Sequence, residues 1–321
     1  MLTLSAPRRV AILGGNRIPF ARSNTAYADA SNQEMLTAAL QGLADRFDLH
    51  GLRLGEVAAG AVLKLSRDIA LTRESLLDTT IAHDTPAYDV SQACGTGLEA
   101  AILVANKIAL GQIDVGIAGG VDTTSDAPIA LNERFRKALL TANREKTGLG
   151  RLKALAGAGL TAPFKPEPPR NAEPRTGLSM GEHCELMARR WAIPREDQDA
   201  LTVASHRKAA AAWEAGLFDD LVTPFRGLAR DNNLRPDIDP AKLATMKPVF
   251  DRQNGTLTAA NSTPLTDGAS TVLLASEDWA RARGLPVLAW LRAGETAAVD
   301  FVGGHGGLLV APGYAVPGVA A

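Results

Sequence analysis

The sequence predicts a layered α/β fold in which a mostly parallel β-sheet lies between helices. The pattern of apolar residues and the size of the chain support this prediction. Short apolar runs alternate with segments of helical period over roughly the first third of the chain. This βαβαβαβ order implies parallel strands joined by right-handed crossovers, which place helices on both sheet faces. The length of 321 residues, with 46% hydrophobic content, supports a large core and more than one lobe.

Each element follows from the spacing of its apolar residues. The first part contains strand 10–13, helix 33–47, strand 57–63, helix 69–81, strand 87–90, helix 97–110 and strand 115–118. A region rich in Lys, Arg, Gly and Pro follows at 134–176, and its proline run at 163–169 excludes a regular element. The chain continues with helices 180–191 and 195–216, strands 255–260 and 268–275, helix 277–283 and strand 287–293.

Composition and charge exclude several classes of protein. Lys+Arg 34 against Asp+Glu 35 argues against a nucleic-acid protein or a polybasic membrane binder. The two cysteines fit free thiols in a reducing compartment, and the N-terminal segment has no apolar core long enough for a secretory signal. Residues 301–321 lack charged side chains, but glycines and prolines interrupt them too often for a spanning helix. We therefore expect a cytoplasmic protein with no transmembrane segment.

Cys94 is the strongest candidate nucleophile. It lies in Ser91-Gln92-Ala93-Cys94-Gly95-Thr96-Gly97, where an extended stretch changes abruptly into a helix. A thiol at a helix start faces free backbone N–H groups and the positive end of the helix dipole, which favour the thiolate. The alternative is a small buried hydrophobic residue. Helix 97–110 is apolar on nearly all sides, which predicts that it is sandwiched and that Cys94 lies deep in the molecule.

Five segments in the same order resemble motifs of the thiolase family. The segments are Asn16-Arg17-Ile18-Pro19-Phe20-Ala21-Arg22, Gln92-Ala93-Cys94-Gly95-Thr96-Gly97, Ala118-Gly119-Gly120-Val121-Asp122, Ser179-Met180-Gly181-Glu182-His183 and residues 256–269. The last two are most similar to the fatty-acid β-oxidation branch, near the thiolase subunit of the trifunctional complex. The resemblance implies acyl transfer between a 3-ketoacyl-CoA or acetyl-CoA and coenzyme A through a cysteine thioester on Cys94.

The resemblance also implies a domain organisation. Residues 1–126 and 250–276 would form the N-terminal core domain, 127–249 an inserted loop lobe, and 277–321 the start of a truncated C-terminal domain. Family members are usually homodimers or homotetramers, and the branch implies a possible β-oxidation partner subunit. Coenzyme A or acyl-CoA would be a substrate, with no permanently bound cofactor. No His, Cys, Asp or Glu cluster has the spacing of metal ligands.

Further family residues are carried over by position. Met180, His183, Arg207 and Thr263 are the candidate contacts to coenzyme A or acyl-CoA, with Lys208 a weaker phosphate candidate beside Arg207. For His183 a pocket role and a solvated position are both open. The remaining histidines and the second cysteine have structural interpretations: His50, His83 and His206 at the surface, and Cys184 in the core or at the lobe interface.

The sequence departs from the family in its last part. The family's Glu-Ala-Phe, Gly-His-Pro and Cys-x-Gly-Gly-Gly motifs are absent, and His305 in Gly303-Gly304-His305-Gly306-Gly307 lacks the following proline. Two interpretations stay open: an active thiolase-type acyltransferase, or a catalytically incomplete, truncated thiolase that binds acyl-CoA or a partner subunit. A third, a ketoacyl-synthase-like condensing enzyme, is disfavoured by the Cys94 loop and the inserted lobe.

Overall fold

The computed structural model describes residues 7–159, 165–303 and 307–320. Contacts divide them into a larger unit, 7–126 with the described part of 172–320, and a smaller unit, 127–171. The predicted boundaries at 126, 249 and 276 stay a prediction.

A mixed β-sheet forms the centre of the larger unit. Its strands are β1 (Val10–Arg17), β2 (Ala21–Arg22), β3 (Glu56–Ala59), β4 (Ala87–Asp89), β5 (Val115–Asp122), β6 (Thr266–Ser276) and β7 (Ala289–Leu291). The order across the sheet is β4-β3-β5-β6-β1-β7, and the short β2 pairs with one end of β6. The longest pairings join β6 to β5 on one side and to β1 on the other.

The prediction of a mostly parallel sheet is wrong for the pairing. Among the strands of the described residues, only β3 with β4 and β3 with β5 pair in parallel, whereas β6 pairs antiparallel with β5, β1 and β2, and β7 antiparallel with β1. The strands β1, β3, β4 and β5 do run in the same direction, as their order predicted, but β6 lies between β5 and β1. Because a long connection separates β5 from β6, no βαβ crossover fixes the direction of β6.

Helices cover both faces of this sheet, which confirms the layered α/β fold. The helices of the larger unit are α1 (Asn32–Phe47), α2 (Leu71–Leu77), α3 (Thr96–Ala109), α6 (Met180–Arg190), α7 (Arg195–Glu214), α8 (Pro240–Ala244), α9 (Glu277–Ala282) and α10 (Ala311–Ala320). Consecutive strand residues enter different cores: Ile117 packs in the core that contains α1 and α2, and Ala118 in the core that contains α3. This alternation explains why the central strands are apolar on both faces.

The depth predicted for Cys94 is wrong. Its side chain is exposed, and Leu98, one turn into α3, is 69% exposed. The inner face of α3 packs on the sheet through Ala100, Val104 and Ile108, which are buried. The apolar residues on the opposite side are only partly covered by described residues, so apolar character on all sides did not produce burial on all sides.

The predicted strand at 255–260 is replaced by a loop. The backbone N–H groups of Thr256 and Leu257 donate to the buried carboxylate of Glu185, at 2.6 and 3.0 Å. Because a side chain satisfies these donors, the segment forms no strand pairing. Helix 69–81 is also shorter than predicted: a 3₁₀ turn, Ser66–Asp68, precedes α2.

The smaller unit contains two helices that the sequence analysis did not predict, α4 (Glu133–Arg144) and α5 (Gly148–Ala156). The Asn132 and Thr147 side chains cap their first turns. Residues 160–164, which include the first two residues of the predicted proline run at 163–169, lie outside the described residues. Within the described segment 165–169, the only β-pairing is an isolated bridge between Glu167 and Ala130.

A buried ion pair holds the start of the larger unit to its later loops. Arg17 at the end of β1 donates to both carboxylate oxygens of Asp231, at 2.7 and 3.0 Å, and both side chains are nearly buried. The same carboxylate accepts the Phe20 N–H at 2.7 Å. Loss of one partner of such a pair leaves an uncompensated buried charge.

We therefore expect Asp231→Ala to lower the free energy of unfolding by about 3–5 kcal/mol, measured by urea denaturation. The matched control is Glu214→Ala, which removes an exposed pair with Arg230 and costs about 0–1 kcal/mol. Equal losses in the two variants would contradict the structural importance of the Arg17 pair.

Candidate functional site

A cleft of about 510 Å³ opens at the carboxyl ends of the central strands β3 and β5 and contains Cys94. It lies where β3 and β5 end and where β6 begins, so segments distant in sequence meet there. Its lining residues are Phe20, Gly60, Val62, Ala93, Cys94, Thr96, Gly97, residues 118–122 and residues 268–272. Cys94 is the one cysteine in this lining, which also contains no histidine among the described residues.

A tight turn between β4 and α3 positions Cys94. Ala93 has φ +45°, in the left-handed region that a side chain disfavours. The Thr96 hydroxyl closes the turn, because it donates to the Ala93 carbonyl oxygen at 2.7 Å and accepts the Gln92 N–H at 2.9 Å. The Gly95 N–H adds a bond to the Gln92 carbonyl oxygen at 2.9 Å. These bonds fix the sulfur directly before the first turn of α3.

Glycines let the backbone segments around Cys94 approach closely. A Cβ at Gly60 would collide with the Val90 carbonyl oxygen, and it would also lie 3.1 Å from the Thr96 Cγ2 atom. At Gly119 a Cβ would lie 2.5 Å from the Ser270 carbonyl oxygen. Neither position accepts a larger residue without backbone movement. The floor of the cleft is therefore formed by backbone, which leaves space for a ligand beside the sulfur.

Two acidic residues hold loops at the rim of the cleft. Asp122, at the end of β5, accepts the N–H groups of Val62 and Leu63, both at 2.9 Å. Burial raises the pKa of the Asp122 carboxyl, although these two hydrogen bonds act in the opposite direction. Asp267, at the start of β6, is completely buried. Its carboxylate accepts the Thr124 N–H at 2.8 Å and the Thr123 hydroxyl at 3.1 Å.

Asp122, Asp267 and Val62 were not predicted from the sequence as functional residues. A signal for Asp122 was present, because an acidic residue two positions after Gly119-Gly120, at the carboxyl end of a strand, lies where ligands bind in α/β sheets. The partner of its carboxylate, a loop almost sixty residues earlier, could not be read from spacing. Val62 carries no sequence signal that distinguishes it from a core residue.

The candidate contacts Met180, His183, Arg207 and Thr263 are not among the residues that line the Cys94 cleft. Met180 begins α6 and is half exposed, Arg207 is exposed on α7, and Thr263 is exposed in the loop before β6. His183 is buried on α6, where its Nε2 lies 2.9 Å from the Thr176 hydroxyl. All four assignments stay predictions.

The other histidines and Cys184 have ordinary surroundings. His50 and His83 are exposed, His206 is half-buried and accepts the Arg235 N–H at 3.2 Å, and His305 lies outside the described residues. Burial, followed by the charge of Arg235, lowers the pKa of His206. Cys184 is half-buried on α6, and burial, followed by the neighbouring Glu185, raises the pKa of its thiol.

Two structural observations bear on other classes of site. Among the described residues, no group of three or more His, Cys, Asp or Glu side chains is placed to hold a metal ion. No helix in the described part of the chain combines the length and apolar character that crossing a membrane requires.

The fold and cleft define an α/β protein with a cysteine at the start of a central helix, the arrangement of an enzyme that forms a covalent thioester. Comparison with known proteins supports this class of enzyme. The family model for the thiolase N-terminal domain matches residues 10–278. A 3-ketoacyl-CoA thiolase of Yersinia pestis (strain Pestoides F) is 39% identical over 315 residues, which are 96% of this chain and 71% of that protein.

Solved structures extend this similarity to the fold. The Bacillus anthracis acetyl-CoA acetyltransferase superposes with a TM-score of 0.80 at 27% identity, over 98% of this chain and 77% of that chain. A human mitochondrial 3-ketoacyl-CoA thiolase in complex with CoA superposes with a TM-score of 0.75 at 25% identity, over 91% and 71%. The chain belongs to the thiolase family, and it is an acyltransferase of the thiolase type.

The turn at Cys94 yields a direct prediction. Thr96→Val removes the hydroxyl that closes the turn, so the Gln92 N–H loses its partner and the left-handed Ala93 is free to relax. We expect a loss of about 1–3 kcal/mol in unfolding free energy. We also expect roughly tenfold slower acylation of Cys94, because small misplacements of a reacting atom are costly. Peptide mass spectrometry at fixed times measures the acylation rate.

Thr96→Ser is the matched control, since it keeps the hydroxyl and should acylate close to the parent rate. Slowing in Thr96→Ser as large as in Thr96→Val would contradict the hydrogen-bond explanation.

Proposed function

We propose that this chain transfers acyl groups between a 3-ketoacyl-CoA or acetyl-CoA and coenzyme A, and that Cys94 carries the acyl group as a thioester. One observation carries the proposal: Cys94 is exposed in a cleft at the sheet edge, with its sulfur placed at the start of α3. The sulfur is therefore accessible to an acyl-CoA that enters the cleft. The family relationship and the names of the relatives indicate the substrate class.

In the degradative direction the Cys94 thiolate attacks the keto carbon of the 3-ketoacyl-CoA. The bond between C2 and C3 then breaks, and its electron pair stays on C2 of the leaving acetyl-CoA, which takes up a proton. The thiol of a second coenzyme A loses its proton and attacks the thioester, which releases the shortened acyl-CoA and restores the Cys94 thiolate; this proton balances the one that the leaving carbanion takes up. A thiolate suits both steps, because it is a good nucleophile and also a good leaving group.

A second candidate function is supported by what lines the cleft. The described lining offers one thiol but no histidine, and the carboxylate of Asp122 accepts the backbone N–H groups at 62–63. Protonation of the leaving carbanion requires an acid near the reacting atoms. The second candidate is therefore a chain that accepts an acyl group on Cys94 and does not complete turnover.

Further proposals concern ligands and partners. We propose that coenzyme A enters and leaves as a substrate, with Met180, His183, Arg207 and Thr263 as contact candidates. The domain division at 126, 249 and 276, a homodimer or homotetramer, and a β-oxidation partner subunit are proposals supported by the family relationship. A cytoplasmic location stays a prediction of the sequence.

Mass spectrometry of the protein after incubation with acetyl-CoA tests the role of Cys94. We expect one acetyl group on the peptide that contains Cys94, and none in Cys94→Ala. Cys184→Ala is the matched control, because it removes the other cysteine and should acetylate as the parent does. Acetylation of Cys184 with Cys94 unmodified would contradict the proposal.

Consumption of a 3-ketoacyl-CoA in the presence of coenzyme A distinguishes the two candidate functions. Turnover that is lost in Cys94→Ala supports the complete acyltransferase. An acetyl adduct without turnover supports the second candidate.

A further inference from the structure

The loop that follows β3 forms one wall of the Cys94 cleft. We call residues 60–65 the Val62 loop, because the Val62 side chain lines the cleft and is 47% exposed. The loop begins at Gly60, whose close approach to Val90 and Thr96 places it against the turn that holds Cys94. An exposed branched aliphatic residue at this place meets any group that approaches the sulfur from that side.

Asp122, at the end of the neighbouring strand β5, fixes the position of this wall. Its two carboxylate oxygens divide their bonds, since Oδ2 accepts the Val62 N–H and Oδ1 accepts the Leu63 N–H, both at 2.9 Å. A carboxylate that accepts two consecutive N–H groups determines the position and the orientation of that peptide segment. Asp122 also lines the cleft, so the support and the wall belong to the same cavity.

Other anchors hold the rest of the loop but not Val62. Asn32 donates to the Leu63 carbonyl oxygen at 2.7 Å, and Asp68 accepts the Leu65 N–H at 2.9 Å. Lys64 pairs with Asp89 at 3.1 Å. Val62 has Asp122 as the side-chain partner of its backbone N–H, while the Val121 N–H holds the start of the loop by donating to the Gly60 carbonyl oxygen at 3.0 Å.

We propose that Asp122 is a positioning residue that holds Val62 as a steric wall beside Cys94, and that this wall restricts the size of the group that reaches the sulfur. The proposal deepens the proposed function and rests on the role of Cys94 as acyl acceptor. Asp122 acts through the Val62 loop and does not exchange protons with substrate. Loss of the wall therefore changes selectivity for size more than reactivity.

The test compares small and large reagents at Cys94, with rates read from the Cys94 peptide by mass spectrometry. The alkylating pair is iodoacetamide and N-phenylmaleimide, and the acylating pair is acetyl-CoA and palmitoyl-CoA. We expect Val62→Ala and Asp122→Ala each to raise the large-to-small rate ratio about tenfold, the scale on which a pocket discriminates a missing methylene. The rate with iodoacetamide should change little in Val62→Ala.

Two matched controls separate this effect from general loosening. Val249→Ala truncates a valine of nearly equal exposure, 46%, outside the cleft lining. Asp251→Asn alters another carboxylate that accepts two consecutive N–H groups, from Gln253 and Asn254, also outside that lining. Both controls should keep the parent ratio.

An unchanged ratio in Val62→Ala would overturn the proposal, and this surface truncation carries little risk of misfolding. A raised ratio in Val62→Ala with an unchanged ratio in a folded Asp122→Ala would overturn the role of Asp122. If no acyl-CoA labels Cys94, the proposed function fails, while the two alkylating reagents still measure the wall.

Discussion

The Thr96 hydroxyl closes the turn between β4 and α3, and the geometry of the candidate site depends on that closure. It donates to the Ala93 carbonyl oxygen and accepts the Gln92 N–H, which holds Ala93 in a left-handed conformation. A left-handed alanine is unfavourable by roughly 1–2 kcal/mol, so surrounding bonds must maintain it. The Thr96 methyl group also packs close to Gly60, and this contact brings the end of β3 next to the Cys94 turn.

Carboxylates hold several irregular segments of the larger unit. Asp122 fixes the Val62 loop, Asp267 fixes residues 123–125, Glu185 fixes residues 256–257, and Asp231 ties residues 17–20 to a later segment. Each accepts backbone N–H groups that no strand or helix satisfies. Irregular segments near the cleft thereby have fixed positions, which a site that discriminates between ligands requires. We propose that Cys94 carries the acyl group and that Asp122 positions the wall beside it, and both residues line the same cleft.

Local signals in the sequence predicted what depends on near neighbours. The helix after Cys94 was predicted to within a residue or two, because its apolar spacing and the preceding turn are local. Cys94 could be singled out as a candidate nucleophile because the residues around it indicate a helix start. Five segments resemble thiolase motifs and occur in the family's order along the chain. The comparisons confirm this family relationship.

Long-range pairing could not be read in the same way. The direction of β6 depends on a connection that includes a separate unit, and the exposure of Cys94 depends on what covers the outer side of α3. The loop at 256–257 looked like a strand because its residue types suit one, yet the carboxylate of Glu185 binds its backbone. In each case a partner distant in sequence decided the outcome.

A crystal structure of the protein after incubation with acetyl-CoA shows whether Cys94 accepts an acyl group. We expect electron density for an acetyl group bonded to the Cys94 sulfur, in the cleft between the Val62 loop and β6. An unmodified Cys94, with acetyl density on Cys184 or on no cysteine, would contradict it.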